Sequence, residues 1–223
     1  VTHNNADTVN LFNGLTLNGQ WNMNAGINPT NLVFHDSSTL TGVGTLNLSN
    51  SLQNIVRSSA AANTLTIDED IIIQGAGRLV NNIGGMINNG TIIADQANQL
   101  VIDTNGEGFV QSGVLRATGT GGIFIQNTPT FTNTAGIDIE TGSKLDVFAS
   151  TIVGGDINID PTASVTFRAN TNLDGLTING DVTHNNADTV NLFNGLTLNG
   201  QWNMNAGINP TNLVFHDSST LTG

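Results

Sequence analysis

The chain has 223 residues, of which 38% are apolar and 10% are charged, with no Cys, no Tyr and four Pro. Its 34 Asn, 29 Thr and 26 Gly argue against helix as the main element, because Asn and Gly are poor helix formers and no apolar period of 3.6 residues is sustained. The net charge of −12 argues against a nucleic-acid partner, the lack of Cys excludes disulfides, and no apolar run reaches the ~18 residues of a membrane span.

The first and last parts of the sequence are the same. Residues 1–42 and 182–223 are identical at every position, so the offset between the copies is 181 residues. Surface positions are free to vary, which means that packing alone cannot explain such identity. We therefore expect a tandem array, in which 1–181 is one full repeat and 182–223 is the start of the next, continuous with it.

Within the repeat, short segments alternate apolar and polar residues. In chain order they begin at Leu15, Leu46, Leu65, Ile92, Leu115, Ile137, Ile157, Leu176 and Leu196. An alternation with period two predicts a β-strand with one buried face. Gly precedes most of these segments by one or two residues, which is typical of a corner that needs positive φ.

A second alternating strand and a third short stretch follow each of these segments. Each unit of about twenty residues therefore reads as three strands separated by corners, which cannot bury an apolar face unless neighbouring coils stack. We predict an all-β fold, a right-handed parallel β-helix (β-solenoid) with about eight rungs per repeat that rises roughly 38 Å. The alternative is an antiparallel β-sandwich, whose hairpins would not repeat one pattern at this interval.

Stacking the coils predicts columns of outward residues. The first column reads Thr66, Ile93, Arg116, Asp138, Asn158 and Thr177. Arg116 then lies over Asp138, where opposite charges support each other. In the second column Glu140 lies over Asp160, and two like charges are in mild conflict.

Glu140 and Asp160 are also the best pair for catalysis. Two carboxylates about 5 Å apart match the spacing in retaining glycosidases. The alternative is a solvated ladder on a flat strand face, which has no evident pocket or lid. We favour the ladder and predict no catalytic residues.

Calcium is the one metal with candidate ligands. Asp68 and Asp70 on one turn, or Glu140 with Asp160, could supply carboxylates, but Ca²⁺ needs six or more oxygens gathered by a turn. The Gly-Gly-x-Gly-x-Asp pattern of calcium-binding rolls is missing. Neither His3 nor His35 has clustered partners, so we expect no metal site and no cofactor, with weak calcium binding as the alternative.

Two units are longer than the rest, and extra residues in solenoids emerge as loops. The stretch "NAGINPTNLVFHDSS" at Asn24–Ser38 is the best candidate for a protruding contact surface. Its candidate contact residues are Trp21, Asn28, His35 and Asp36. The alternative is an ordinary decorated corner.

Three units carry a resemblance. "GTIIADQANQLVID", "GVLRATGTGGIFIQN" and "IDIETGSKLDVFAST" resemble repeats of giant bacterial exoproteins of the filamentous-haemagglutinin and autotransporter-adhesin type. The resemblance implies a right-handed β-helix, exported to the cell surface, that forms a stalk or an adhesive fibre. It implies no functional residue.

Three functions remain open at this point. The leading one is a structural repeat of an extracellular fibre or adhesin stalk, whose partners are neighbouring repeats end to end. The second is a binding module that contacts surface glycans, other fibre chains or partner cells through the long-unit loops. The third is a polysaccharide-acting enzyme.

Overall fold

A computed structural model describes residues 1–104 and 106–223. Over these residues the protein is all-β without a helix, and its strands stack in parallel as a β-solenoid of about 10 turns. The predicted fold class is therefore confirmed. No helix in the described part of the chain is long and apolar enough to cross a membrane.

The strands are short and follow one another closely along the chain. The first nine are β1 Thr2–Asn4, β2 Thr8–Phe12, β3 Leu15–Thr16, β4 Gly19–Asn24, β5 Thr30–His35, β6 Ser38–Thr41, β7 Gly44–Ser58, β8 Thr64–Ile67 and β9 Ile71–Leu79. The next nine are β10 Gly85–Asn88, β11 Thr91–Ala94, β12 Leu100–Asp103, β13 Phe109–Gln111, β14 Val114–Ala117, β15 Ile123–Gln126, β16 Phe131–Asn133, β17 Ile137–Ile139 and β18 Lys144–Phe148. The last nine are β19 Thr151–Val153, β20 Asp156–Ile159, β21 Ser164–Arg168, β22 Thr171–Asn179, β23 Val182–Asn185, β24 Thr189–Asn199, β25 Trp202–Asn205, β26 Asn212–Phe215 and β27 Leu221–Thr222.

Strand pairing divides the solenoid into three faces, which the chain visits in the order A, B, C. Face A contains β1, β4, the first half of β7, the first half of β9, β11, β14, β17, β20, the second half of β22, the second half of β24 and β27. Face B contains β2, β5, the second halves of β7 and β9, β12, β15, β18, β21, β23 and β25. Face C contains β3, β6, β8, β10, β13, β16, β19, the first half of β22, the first half of β24 and β26.

The core is one continuous apolar column that runs along the axis. Alternation places every second residue of a strand inside, and each inner residue lies against its counterpart in the next turn, as Ile123 does against Leu145 and Leu145 against Val165. Phe109 and Phe131 stack in this column with ring centroids 4.8 Å apart. No single turn could bury these side chains, so stability depends on contact between neighbouring turns.

The corners explain the abundance of Gly and Asn. Gly122 has φ +67°, and a Cβ there would lie 2.1 Å from the carbonyl oxygen of Lys144 in the next turn. Asn13 and its copy Asn194 adopt φ +63° and +53°, which Asn tolerates better than most residues. These residues let the chain bend tightly while the turns remain in contact.

The pairing corrects part of the predicted register. Arg116 does pair with Asp138, as predicted. Ile93, however, pairs with Gln74 on face A, whereas Thr66 pairs with Thr39 and Ile87 on face C.

Two of the predicted strand starts also lie on a different face from the one expected. Leu15 and Leu65 belong to face C, although the sequence suggested that they start the same face as Leu46. Strands on all three faces carry the same alternation, so the pattern alone does not say which face a strand occupies.

The second copy of the repeated segment continues the shaft. Its first strand, β23, lies between β21 and β25, with Val182 paired to Val165 on one side and Trp202 on the other. Val182, Val190 and Leu192 are fully buried. The coil therefore passes from residue 181 to 182 without a break in the core.

Candidate functional site

The loop predicted as a contact surface is shorter than the predicted stretch. Within Asn24–Ser38, residues Thr30–His35 form strand β5, whose Leu32 and Phe34 lie in the core. The protruding part is the segment 25–29, which we call the tip loop. Ile27 at its apex is 90% exposed, and the copy of this residue, Ile208, is 97% exposed.

One side chain fixes the tip loop. The Asn5 side-chain oxygen accepts hydrogen bonds from the backbone N–H groups of Gly26 and Asn28, at 3.0 and 2.9 Å. Asn28, a predicted contact residue, therefore lies in this loop with its amide N–H directed back to the shaft. These two hydrogen bonds hold the loop that carries the exposed Ile27 against the shaft.

His35 lies on the outer surface, where it forms part of a stack. Its ring lies 4.4 Å from that of Phe12 at an interplanar angle of 19°, and its Nε2 is 3.0 Å from the side-chain oxygen of Asn10. The facing sides of the two rings cover each other, while Phe12 remains 61% exposed. Asp36 follows at a corner with φ +64°.

Trp21 lies in the core, with only 8% of its surface exposed. Trp21 and Met23 are two residues apart in strand β4, so both side chains point to the inside of the solenoid. Trp21 is therefore not part of an exposed contact surface. The other three predicted contact residues do not form one site either, because Asn28 lies in the tip loop before strand β5 and His35 and Asp36 lie at the far end of that strand.

A shallow open depression lies beside this stack. It has a volume of about 510 Å³ and is lined mainly by hydroxyl, amide and carboxylate side chains, namely Asn13, Thr16, Asp36, Ser37, Ser38, Thr39 and Thr41. A smaller depression of about 230 Å³ recurs in the second copy, around Asn194, Thr197 and Thr222. Such a surface can exchange hydrogen bonds with water or a polar ligand.

The candidate catalytic carboxylates Glu140 and Asp160 lie on adjacent turns, and Glu140 forms an ion pair with Arg116. Arg116 approaches both Glu140, with Nε 3.2 Å from Oε1, and Asp138, with Nη2 4.0 Å from Oδ2. Glu140 and Asp160 follow the paired residues Ile139 and Ile159 in adjacent turns of face A.

Asp160 is held as an anion. The backbone N–H and the hydroxyl of Thr162 donate to its Oδ1 at 2.9 and 2.8 Å, and these hydrogen bonds lower the pKa of the Asp160 carboxyl. A retaining glycosidase needs one carboxyl group with a raised pKa to act as the acid. The arrangement here stabilises charge, as expected for a surface ladder.

The calcium candidates fall into two separate places. Asp68 and Asp70 lie on the turn between β8 and β9, several turns from Glu140 and Asp160. In the part of the chain that the structure describes, no three His, Cys, Asp or Glu side chains come together in a group that could hold a metal ion.

Polar ladders follow the outer surface of face A. The amide of Asn47 donates to Asn22 and that of Gln74 donates to Asn47, both at 2.8 Å. A second ladder runs from Asp138 through Asn158 and Asn179 to Asn199, with bonds of 2.8 to 2.9 Å. These ladders use the Asn-rich composition to connect successive turns.

An aromatic and basic cluster on face B was not predicted. The Arg168 guanidinium carbon lies 5.9 Å from the ring centroid of Phe124 and 5.6 Å from that of Phe148, distances typical of cation–π contacts. The signal was present in "IFIQ" and "LDVF", where Phe occupies outward positions of neighbouring turns.

One histidine of the second copy is part of the core. His184 is fully buried between Phe167 and Met204 of the adjacent turns. Burial lowers the pKa of its imidazole, against an opposing effect of the backbone and charge of Asp188. The residue therefore packs as a neutral ring. It meets Trp202 edge to face, with ring centroids 6.2 Å apart.

Comparison with known proteins gives no assignment, since no family model, no curated protein and no solved structure matches the chain.

Proposed function

We propose that the chain is a structural repeat of a long extracellular fibre or adhesin stalk of bacterial origin, without a catalytic role. The observation that carries the proposal is the uninterrupted passage of the solenoid into the second copy of its own repeat, where Val182 pairs with Val165. A fold that accepts its own beginning at the end of a period can be extended by further periods. The resemblance of the coils to filamentous-haemagglutinin and autotransporter-adhesin repeats supports the same function and the location at the cell surface.

Charge favours separate, extended rods. One 181-residue period carries a net charge of −10, because two of the 17 acids, Asp188 and Asp217, belong to the second copy. Such rods repel each other sideways within a Debye length of about 8 Å at physiological salt. The ends of a rod behave differently from its sides, because the uncovered strand edges at an end can pair with the coil of another rod.

Rod length tests this proposal. Chains with one, two and three complete periods are expressed and measured by negative-stain electron microscopy. With turns about 4.8 Å apart, each added period lengthens the rod by roughly 40 Å at constant width. Particles that instead widen, or that fold back on themselves as periods are added, would contradict the proposal.

A second function, contact with partner cells or glycans, is favoured by one observation, the fixed tip loop with its exposed Ile27. Under this alternative, replacing Ile27 and Ile208 with Ser reduces binding to cells or glycan arrays at least tenfold without shortening the rod. Unchanged binding would remove the tip loop from consideration.

A further inference from the structure

The two identical segments do not lie on the same faces of the solenoid. Thr2, in the first strand of the first copy, pairs with Asn22 on face A. Thr183, the same residue in the second copy, pairs with Thr166 and Asn203 on face B. The next strands shift by one face in the same way. Strand β2 lies on face B, and its copy, the first half of β24, lies on face C. Strand β3 lies on face C, and its copy, the second half of β24, lies on face A.

Within each copy, the local contacts are unchanged. The edge-to-face contact of His3 with Trp21, at 6.2 Å, recurs between His184 and Trp202 at the same distance. The stacked pair Phe12 and His35, at 4.4 Å, recurs as Phe193 and His216 at 4.4 Å. Asn186 accepts the N–H groups of Gly207 and Asn209 just as Asn5 accepts those of Gly26 and Asn28. The segment is therefore moved as a unit and not remodelled.

From these two observations we infer that each 181-residue period advances the solenoid by eight turns and one additional face. Face A is visited nine times from β1 through the second half of β22, and β23 follows on face B. Successive periods would then be related by a rotation of about one third of a turn and a rise of roughly 40 Å. The inference rests on the proposed array, in which further periods follow.

The chemistry of the faces allows this shift. All three faces present the same alternation of inner apolar and outer polar residues, so a strand fits any of them. In its new place the second copy buries Val190 and Leu192 completely and pairs Thr183 with Thr166 on the outside. The polar ladders tolerate the change because Asn and Thr can bond to either neighbour.

The consequence concerns what the fibre presents to its surroundings. The tip loop lies at the corner between faces A and B in the first copy, between β4 and β5, and at the corner between faces B and C in the second, between β25 and β26. Any surface carried by the repeat would appear in turn on three sides of the rod. A flat partner such as a cell surface would meet one repeat in three, at intervals of roughly 120 Å.

The shift can be tested by cross-linking because the chain has no Cys. Neighbouring strands lie about 4.8 Å apart, within the Cα separation that a disulfide spans. In the 223-residue chain, the pair Gln74→Cys/Ile93→Cys should oxidise at least tenfold faster than Thr66→Cys/Ile93→Cys. The eight-rung register predicted from the sequence gives the opposite order, because it places Ile93 over Thr66.

A second pair tests the second copy directly. Thr166→Cys/Thr183→Cys should link, and Asn158→Cys/Thr183→Cys should not, because Thr183 lies over Thr166 on face B whereas Asn158 lies on face A. The pair Asp138→Cys/Asn158→Cys, which are neighbours on face A, is the control for reactivity. Faster linking of Thr66 with Ile93, or of Asn158 with Thr183, would overturn the rotation.

These outcomes are separate from the fate of the fibre proposal. A rotation refuted by cross-linking leaves rods that still lengthen by about 40 Å per period. If the control pair links but Thr183 links to neither partner, the second copy does not continue the shaft, and both the rotation and the array are wrong.

Discussion

Residues 1–42 and 182–223 have one sequence and two environments. In the first copy the following turn covers Met23 and Phe34, which are fully buried, whereas their counterparts Met204 and Phe215 in the second copy are 45% and 47% exposed. On the opposite side the relation reverses, since Leu192 is fully buried against the preceding turn and Leu11 is only half-buried.

The comparison shows how the fold divides its stabilisation. Contacts within the segment, such as the tip loop and the aromatic stacks, are the same in both copies. Burial is supplied by the neighbouring turns, as expected for a chain of stacked units that interact with their nearest neighbours. Matched substitutions in the two copies can separate the two contributions.

The largest effect should come from Phe34. Phe34→Ala removes a ring from the closed core and should lower the free energy of unfolding by about 3–5 kcal/mol. Phe215→Ala, the same change at an uncovered edge, should cost less than about 1 kcal/mol. Urea denaturation followed by circular dichroism checks both, and equal losses would mean that the two copies are equally enclosed.

Leu192 should follow, with the order of the copies reversed. Leu192→Ala leaves a cavity and should cost about 2–4 kcal/mol, within the range for buried leucines. Leu11→Ala should cost about half as much, because Leu11 has no preceding turn to pack against. A larger loss of stability for Leu11→Ala than for Leu192→Ala would contradict the burial of Leu192 by the preceding turn.

Asn5 and Asn186 should behave alike. Each accepts two backbone N–H groups of its own tip loop, so Asn5→Ala and Asn186→Ala should each cost about 1 kcal/mol of local stability. Hydrogen exchange of the Gly26 and Gly207 amides is the measurement, and both should speed up by a similar factor. A loss in one copy alone would show that the tip loop depends on its neighbours.

The smallest effect should be the pH dependence of His184. Since burial lowers its pKa, the unfolded chain binds the proton more readily, and stability is lost as the pH falls below the usual value of 6.5. The opposing effect of Asp188 reduces the loss. The urea midpoint of the wild type should fall more between pH 7.5 and 5.5 than that of His184→Leu, and equal shifts would assign the pH dependence to other groups.

The sequence predicted the class of fold because alternation and corner residues recur at about twenty-residue intervals. It did not assign strands to faces, since "LNLS" at Leu46 on face A and "LTID" at Leu65 on face C show the same alternation. The 15-residue strand β7 turns from face A to face B around an irregularity between Asn50 and Ile55 that no Gly marks. The predicted count of eight rungs therefore missed the additional face.

The candidate surfaces were predicted less well, for a related reason. The long stretch from Asn24 reads as a polar loop, but "TNLVF" within it keeps the alternation of a core strand, which β5 confirms. The contact of Arg116 with Glu140 could be foreseen only in part, because it joins different columns of adjacent turns. Such diagonal contacts depend on side-chain reach, which spacing does not encode.

The most direct test of the account is the direction in which the second copy meets the turn before it. In the amide region of a nuclear Overhauser spectrum, we expect contacts that advance together, Val165 with Val182 and Phe167 with His184. Contacts in crossed order, Val165 with His184 and Phe167 with Val182, would show antiparallel strands and contradict the stacked parallel coil.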